Sequence, residues 1–182
     1  LAENIKENPV DGCIGIGHTR WATHGVPSDR NSHPHYSMDK SAAVVHNGII
    51  ENYQVLRKEL EEKGYVFTSD TDTEVISQLI QDMYNGNILD TVSKVVKRLE
   101  GSYAIGVLHK NHPDELICAR EHSPLVVGIG EKENFIASDI SALLKYTKDV
   151  YYLEDGDIAI LKAGSIEIFD RDEKPVMREK KY

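Results

Sequence analysis

The stretch "SAAVVHNGII", residues 41–50, runs directly into "ENYQVLRKELEEKG", residues 51–64, and the way the two join decides the fold class. The first part is a β-branched run that predicts a strand and meets the dipeptide Asn47-Gly48. Asn-Gly is the strongest short signal for a type I′ hairpin turn. Yet the residues after Gly48 lead into a helix: Asn52 is a plausible cap, Tyr53, Leu56 and Leu60 share a face, and Gly64 supplies the stop. Little returning strand is left. The other reading of the pair is an oxyanion hole, in which a side-chain amide and a glycine N–H aim at one developing negative charge and no Cβ blocks approach. The residues alone leave both open.

Outward from this segment, short β-rich runs predict strands at "CIGIGHTRW" (13–21), "YVFTS" (65–69), "SYAIGVLH" (102–109), "ELICARE" (115–121), "LVVGIG" (125–130) and "NFIAS" (134–138). "VYYLE" (150–154), "DIAILKA" (157–163) and "SIEIFD" (165–170), separated by Asp-Gly and Ala-Gly, read as a closing meander. A second helix opens at Thr71 with a capping box, Thr71 and Glu74, and a stripe of Val75, Ile76, Leu79, Ile80 and Met83. A third carries Val92, Val95, Val96 and Leu99 before Gly101, and a shorter fourth is expected through "DISALLKYT" (139–147). Helices early and strands late predict an α+β domain of antiparallel sheets covered by helices. No repeat or linker divides residues 1–182, so one domain is expected.

Bulk composition narrows the function. A formal charge of −9 argues against a nucleic-acid footprint, which needs clustered Lys and Arg. No apolar run approaches the roughly 18 residues of a membrane span. Cys13 and Cys118 give no disulfide framework, so a reducing cytosol is the expected compartment. The chain begins with Leu1, so it is expected to be a piece of a longer protein.

Three places combine polar groups with tight backbone: Asn47-Gly48, "SDTDTE" at 69–74, and "GIGHTRWATHG" at 15–25. In the last, Arg20 offers a planar fork suited to a carboxylate, with Thr23 and His24 as neutral donors. In the second, Asp70 and Asp72 are two carboxylates where one would cap a helix, leaving one for a ligand. "HPH" at 33–35, with His18, His24 and His46, invites a zinc reading. No Cys-x-x-Cys or His-x-x-x-His accompanies it and His-Pro-His splays its rings, so no metal is expected. One arginine, one carboxylate and a pair of oxyanion donors would suit an α-amino acid with a side-chain carbonyl.

"HTRWATHG", "HNGIIEN" and "SDTDTEV", in this order, resemble the glutaminase domain of class II glutamine amidotransferases, and "NSHPH" is similar to the branch that aminates fructose 6-phosphate. "SPLVVGIG" and "NFIASD" extend the resemblance over nearly the whole chain. It implies an N-terminal-nucleophile hydrolase fold, a four-layer α-β-β-α sandwich of two antiparallel sheets, here without its first strand segment. It implies hydrolysis of L-glutamine to glutamate and ammonia, no cofactor, and a cytoplasmic homo-oligomer whose sugar-phosphate isomerase domain follows Tyr182. It also implies roles: Arg20 for the α-carboxylate with Thr23 and His24 beside it, Asp72 for the ammonium, Asn47 and Gly48 as oxyanion hole, Trp21 towards the ammonia passage. The family's nucleophile is an amino-terminal cysteine, with its own α-amine as base; this chain starts with leucine, and Cys13 and Cys118 read as structural thiols. The piece alone is therefore expected to be inactive. Two other readings are an amidotransferase with another ammonia acceptor and a non-catalytic glutamine-binding module.

Overall fold

The computed structural model describes residues 2–7, 9, 11–19 and 25–182. In chain order its helices are α1 (Ala2–Glu7), α2 (Tyr53–Glu62), α3 (Glu74–Met83) and α4 (Ile88–Val96), with single 3-10 turns at Asp29–Asn31 and Ile140–Ala142. The strands of the first half are β1 (His35–Tyr36), β2 (Ala42–Ile50), β3 (Gly101–His109) and β4 (Leu116–Glu121). Those of the second are β5 (Val126–Ile129), β6 (Asn134–Ala137), β7 (Val150–Tyr152), β8 (Ile158–Lys162), β9 (Ser165–Phe169) and β10 (Lys180–Lys181). They pair antiparallel into a larger sheet, β1-β2-β3-β4-β8-β9, and a smaller one, β10-β7-β5-β6.

The period of two along each strand sorts the core into layers. Val44, Ile105, Val107, Ile117 and Ile158 point from the larger sheet towards Leu56 and Leu60 of α2, Val75, Ile76, Leu79 and Ile80 of α3, and Val92 and Val95 of α4. Ala104, Leu116, Cys118, Ala159 and Leu161 point the other way and meet Val127 of the smaller sheet, with Leu125 and Leu153 beside it. Gly106 fits beneath Ile136 of β6, where a Cβ would come within 2.8 Å of its Cδ1. The outer face of the smaller sheet is covered more thinly, by Leu143 after the Ile140–Ala142 turn packing on Val126 and Val150. This is the expected α+β sandwich. Among the described residues no helix is long and apolar enough to cross a membrane.

Several local expectations are corrected. The closing meander is split between sheets: β7 joins β5, while β8 and β9 extend the larger sheet. Residues 13–19 form no ladder, although Ile14 and Ile16 pack on the inter-sheet core; positions 20 and 21 of that expected strand lie outside the described residues. Residues 65–69 are also not a strand, because their backbone donors are taken elsewhere: Thr68 and Ser69 donate their N–H groups to Glu74 at 2.8 and 2.6 Å. The expected fourth helix is only the 3-10 turn, with the Asp139 side chain accepting from Ser141 N at 2.8 Å. Asn52 does not cap α2 with its side chain; it bridges Arg98 O and Glu100 N at 2.8 and 3.2 Å instead. Gly64 does end α2, at φ +94, with Tyr65 N bonded to Leu60 O and Gly64 N to Glu61 O, a Schellman closure.

Leu79 is fully buried between α3 and the sheet, whereas Val55 on α2 is 61% exposed. Leu79→Ala is expected to cost about 3 kcal/mol in equilibrium urea unfolding, and Val55→Ala less than about 0.5. A similar loss for both would mean that α3 is not docked as described.

Candidate active site

Asn47-Gly48 is not a turn. Both residues lie inside β2, opposite Ala104 and Tyr103 of β3. Gly48 has φ +131, and a Cβ there would fall 2.1 Å from the Ser102 carbonyl oxygen and 3.0 Å from Ser123 Oγ. Glycine is required because two backbones touch, not because the chain reverses. Asn47 shares its face with Val45, Ala104 and Gly106 and so faces the space between the sheets. There it lines a cavity of about 520 Å³ with His18, Thr19, Leu125, Ile136 and Ser138.

The edge of β2 away from β3 is equally informative. β1 pairs only with Ala43 and Val44, so beyond Val44 that edge carries no strand among the described residues. His46 N–H donates across it to His33 Nδ1 at 3.2 Å, and Ile50 N–H to Asp72 Oδ2 at 2.8 Å. Backbone groups alternate along a strand, so the Gly48 N–H points to the same open edge, between these two.

Asp72 and Asp70 part company. Asp72 is buried and tethered to Ile50. Asp70 is exposed and paired with Arg30, whose hydrogen bond, with that of Asn31, holds its carboxyl below the usual range. The expected capping box is absent: Thr71 Oγ1 lies 3.0 Å from His35 Nε2, and buried Glu74 accepts four bonds from the N–H and hydroxyl groups of Thr68 and Ser69. Arg20, Trp21, Thr23 and His24 lie outside the described residues, although Thr19 just before them lines the Asn47 cavity.

The histidines make protein contacts: His18 stacks on His33 with centroids 4.6 Å apart, and His33 meets His35 edge-on at 4.9 Å. Among the described residues, Glu121, His122 and Asp155 bring potential metal-ligand atoms together, but Arg171 and Arg120 pair with the two carboxylates. Cys118 is fully buried, and burial pushes its thiol up to about 12. Cys13 is exposed, so it is not the packed structural thiol expected; it lines a separate cleft beside Ala42 and Ala43. Along β2 that is about 16 Å from Asn47. Two residues went unremarked in the sequence, Thr73 and Ser102, both touching the buried His46; the signal was the period of two, which turns His46 away from Asn47.

Residues 18–145 match the family model described as a glutamine amidotransferase domain. The chain belongs to the glutamine amidotransferase domain family. It is 56% identical over 181 residues to glutamine–fructose-6-phosphate aminotransferase (isomerizing) of Fusobacterium nucleatum, covering 100% of this chain and 30% of that protein. The enzyme of the same name from Caldanaerobacter subterraneus is 58% identical over 170 residues, 93% of this chain and 28% of that one. The chain thus spans about 30% of the relatives' length. Among solved structures, the Bacillus subtilis glutamine phosphoribosylpyrophosphate amidotransferase complexed with ADP and GMP superposes with TM-score 0.72 at 24% identity, over 87% of this chain and 35% of that one. That likeness shows that the two share a fold.

Gly48 and Gly64 both have positive φ, but only Gly48 has backbone within reach of a Cβ. Gly64→Ala is expected to cost about 1 kcal/mol. Gly48→Ala is expected to part β2 from β3 and to cost at least 3 kcal/mol or abolish folding. Thermal melts of the two variants side by side check this; equal losses would remove the close approach as the reason for glycine.

Proposed function

We propose that this domain binds L-glutamine and releases ammonia from its side-chain amide, with the Asn47 side chain and the Gly48 N–H stabilising the oxyanion formed during attack. The observation that carries the reading is the double exposure of one dipeptide: Asn47 faces the cavity while Gly48 turns its N–H to the open edge of the strand. Donors fixed in a paired strand need no reorganisation as charge develops. Asp72 is the partner of the substrate ammonium, supported by its burial beside that edge. Arg20 grips the α-carboxylate with Thr23 and His24 near it, and Trp21 lies towards the ammonia passage.

The names of the relatives extend the proposal to a whole protein in which a sugar-phosphate isomerase domain passes the ammonia to fructose 6-phosphate; that we read it as cytoplasmic and self-associating rests on the family resemblance and the cysteine content alone. An amidotransferase with a different acceptor would share the glutamine site, so the full-length gene product is to be assayed with several sugar phosphates. Failure with fructose 6-phosphate alone would replace the acceptor and leave the glutaminase reading intact. Neither Cys118, buried, nor Cys13, in a separate cleft beside the far end of β2, suits the nucleophile's role, so residues 1–182 alone are expected to release no ammonia. Release abolished by Cys13→Ala would overturn that.

The donors and the carboxylate grip separate in kinetics. Arg20 would touch the substrate equally in ground and transition states, so Arg20→Ala should raise KM. Asn47→Ala should lower kcat by roughly a hundredfold, the worth of one oxyanion donor, about 3 kcal/mol. Glutaminase kinetics of both variants in the full-length protein test this; a raised KM with unchanged kcat for Asn47→Ala would refute the oxyanion role.

A further inference from the structure

His46 is almost fully buried, on the opposite face of β2 from Asn47, and its imidazole touches both halves of the proposed site. Nδ1 lies 2.9 Å from Thr73 Oγ1, in the turn that carries Asp72. Nε2 lies 3.5 Å from the Ser102 carbonyl oxygen, the same atom that leaves Gly48 no room for a Cβ. A carbonyl only accepts, so Nε2 carries the proton and Nδ1 accepts from the Thr73 hydroxyl. The ring thus spans from the Asp72 turn, through Ser102, to the backbone of Gly48.

We propose that His46 is a positioning residue of this site: as a neutral imidazole it ties the turn bearing Asp72 to the strand bearing Asn47 and Gly48. The inference rests on the roles proposed above for those three residues. Burial holds the imidazole below its ordinary pKa, against the pull of Asp72 and the Ser102 carbonyl, with His18 adding to the depression. His33 also faces His46, through its backbone N–H. Neutrality matters here because a protonated His46 could no longer accept from Thr73. It would also set a cation beside Asp72, where the substrate ammonium must bind. With the folded pKa lowered, the neutral form persists through neutral pH and is lost only as pH falls below the ordinary imidazole value of about 6.5.

The test uses glutaminase kinetics of the full-length protein. His46→Leu and Thr73→Val are each expected to raise KM for glutamine about fivefold, the worth of one buried hydrogen bond, and the double variant no more than the larger single. His46→Asn, whose amide oxygen can still accept from Thr73, is expected to recover most of the loss. The decisive readout is pH: KM of the wild type should climb as pH falls below about 6.5, and His46→Asn should lack that climb. An acid limb unchanged in His46→Asn, or single-variant losses that simply multiply, would overturn the proposal. If His46→Leu does not fold, His46→Asn and Thr73→Val decide the matter. An Asp72→Asn variant with unaltered KM would instead refute the ammonium role of Asp72, a failure distinguishable from that of His46.

Discussion

The contact between Gly48 and the Ser102 carbonyl governs the rest of the site. A Cβ at 2.1 Å is excluded by any packing, so β2 and β3 approach there more closely than side chains would allow. With that point pinned, strand alternation disposes the neighbours. His46 and Ile50 turn to the helical layer, Asn47 turns to the smaller sheet, and alternate N–H groups face the edge that β1 leaves open. A slip of one residue would turn the His46 side chain towards the smaller sheet and the Asn47 side chain into the helical layer. The register of one strand therefore carries both the fold and the proposed chemistry.

A second corner braces the same contact from behind. Ser123 Oγ lies where it would meet a Gly48 Cβ at 3.0 Å, and Ser123 follows His122, a non-glycine residue at φ +60. That strained backbone is held by Asp155, which accepts His122 N at 2.8 Å and lies 3.0 Å from its Nδ1. Arg120 fastens the same segment from β4, pairing with Asp155 and donating to Leu153 O at 2.8 Å. Tyr103, opposite Gly48, is buried nearby, and burial pushes its phenol up to about 12, which keeps a neutral group behind the strand. These ion pairs are partly exposed and contribute little to stability singly; their joint effect is geometric, since they fix the segment that follows β4, where Ser123 sits beside Gly48.

Much of this was legible in the sequence. Apolar stripes at helical spacing located α3 and α4, and Leu56 and Leu60 located the buried face of α2, because burial enforces the period. The central strands were legible for the same reason. What failed was whatever depended on where backbone donors find partners. "YVFTS" has strand composition, but Glu74 draws in the N–H groups of Thr68 and Ser69 and leaves no ladder to form. The segments of β7, β8 and β9 look like a meander, yet sheet membership changes after Tyr152, which no local propensity encodes. Asn47-Gly48 was ambiguous because its signal serves two structures, and only the long-range pairing with Ala104 and Tyr103 separates them. His46 stands in the sequence only among the histidines that invite a zinc reading, and its contacts are hidden for a kindred reason: its partners Thr73 and Ser102 are distant in sequence.

The same geometry constrains the nucleophile. If Asn47 donates to the oxyanion, the attacking thiol must reach the substrate within the cavity that Asn47 lines. Cys118 projects from the same inter-sheet side of the larger sheet, opposite Gly106 and Ala159. But it is sealed in apolar surroundings that raise its pKa, and a thiol is reactive only as thiolate. A competent thiol needs partial hydration or a nearby positive charge, which the inter-sheet core cannot supply. The polar part of the cavity lining, at His18, Thr19 and Ser138, can. Sharing a sheet face with Asn47 is therefore not enough to make a cysteine catalytic: the nucleophile must be presented at that polar lining, while the packed interior serves to hold β2 still.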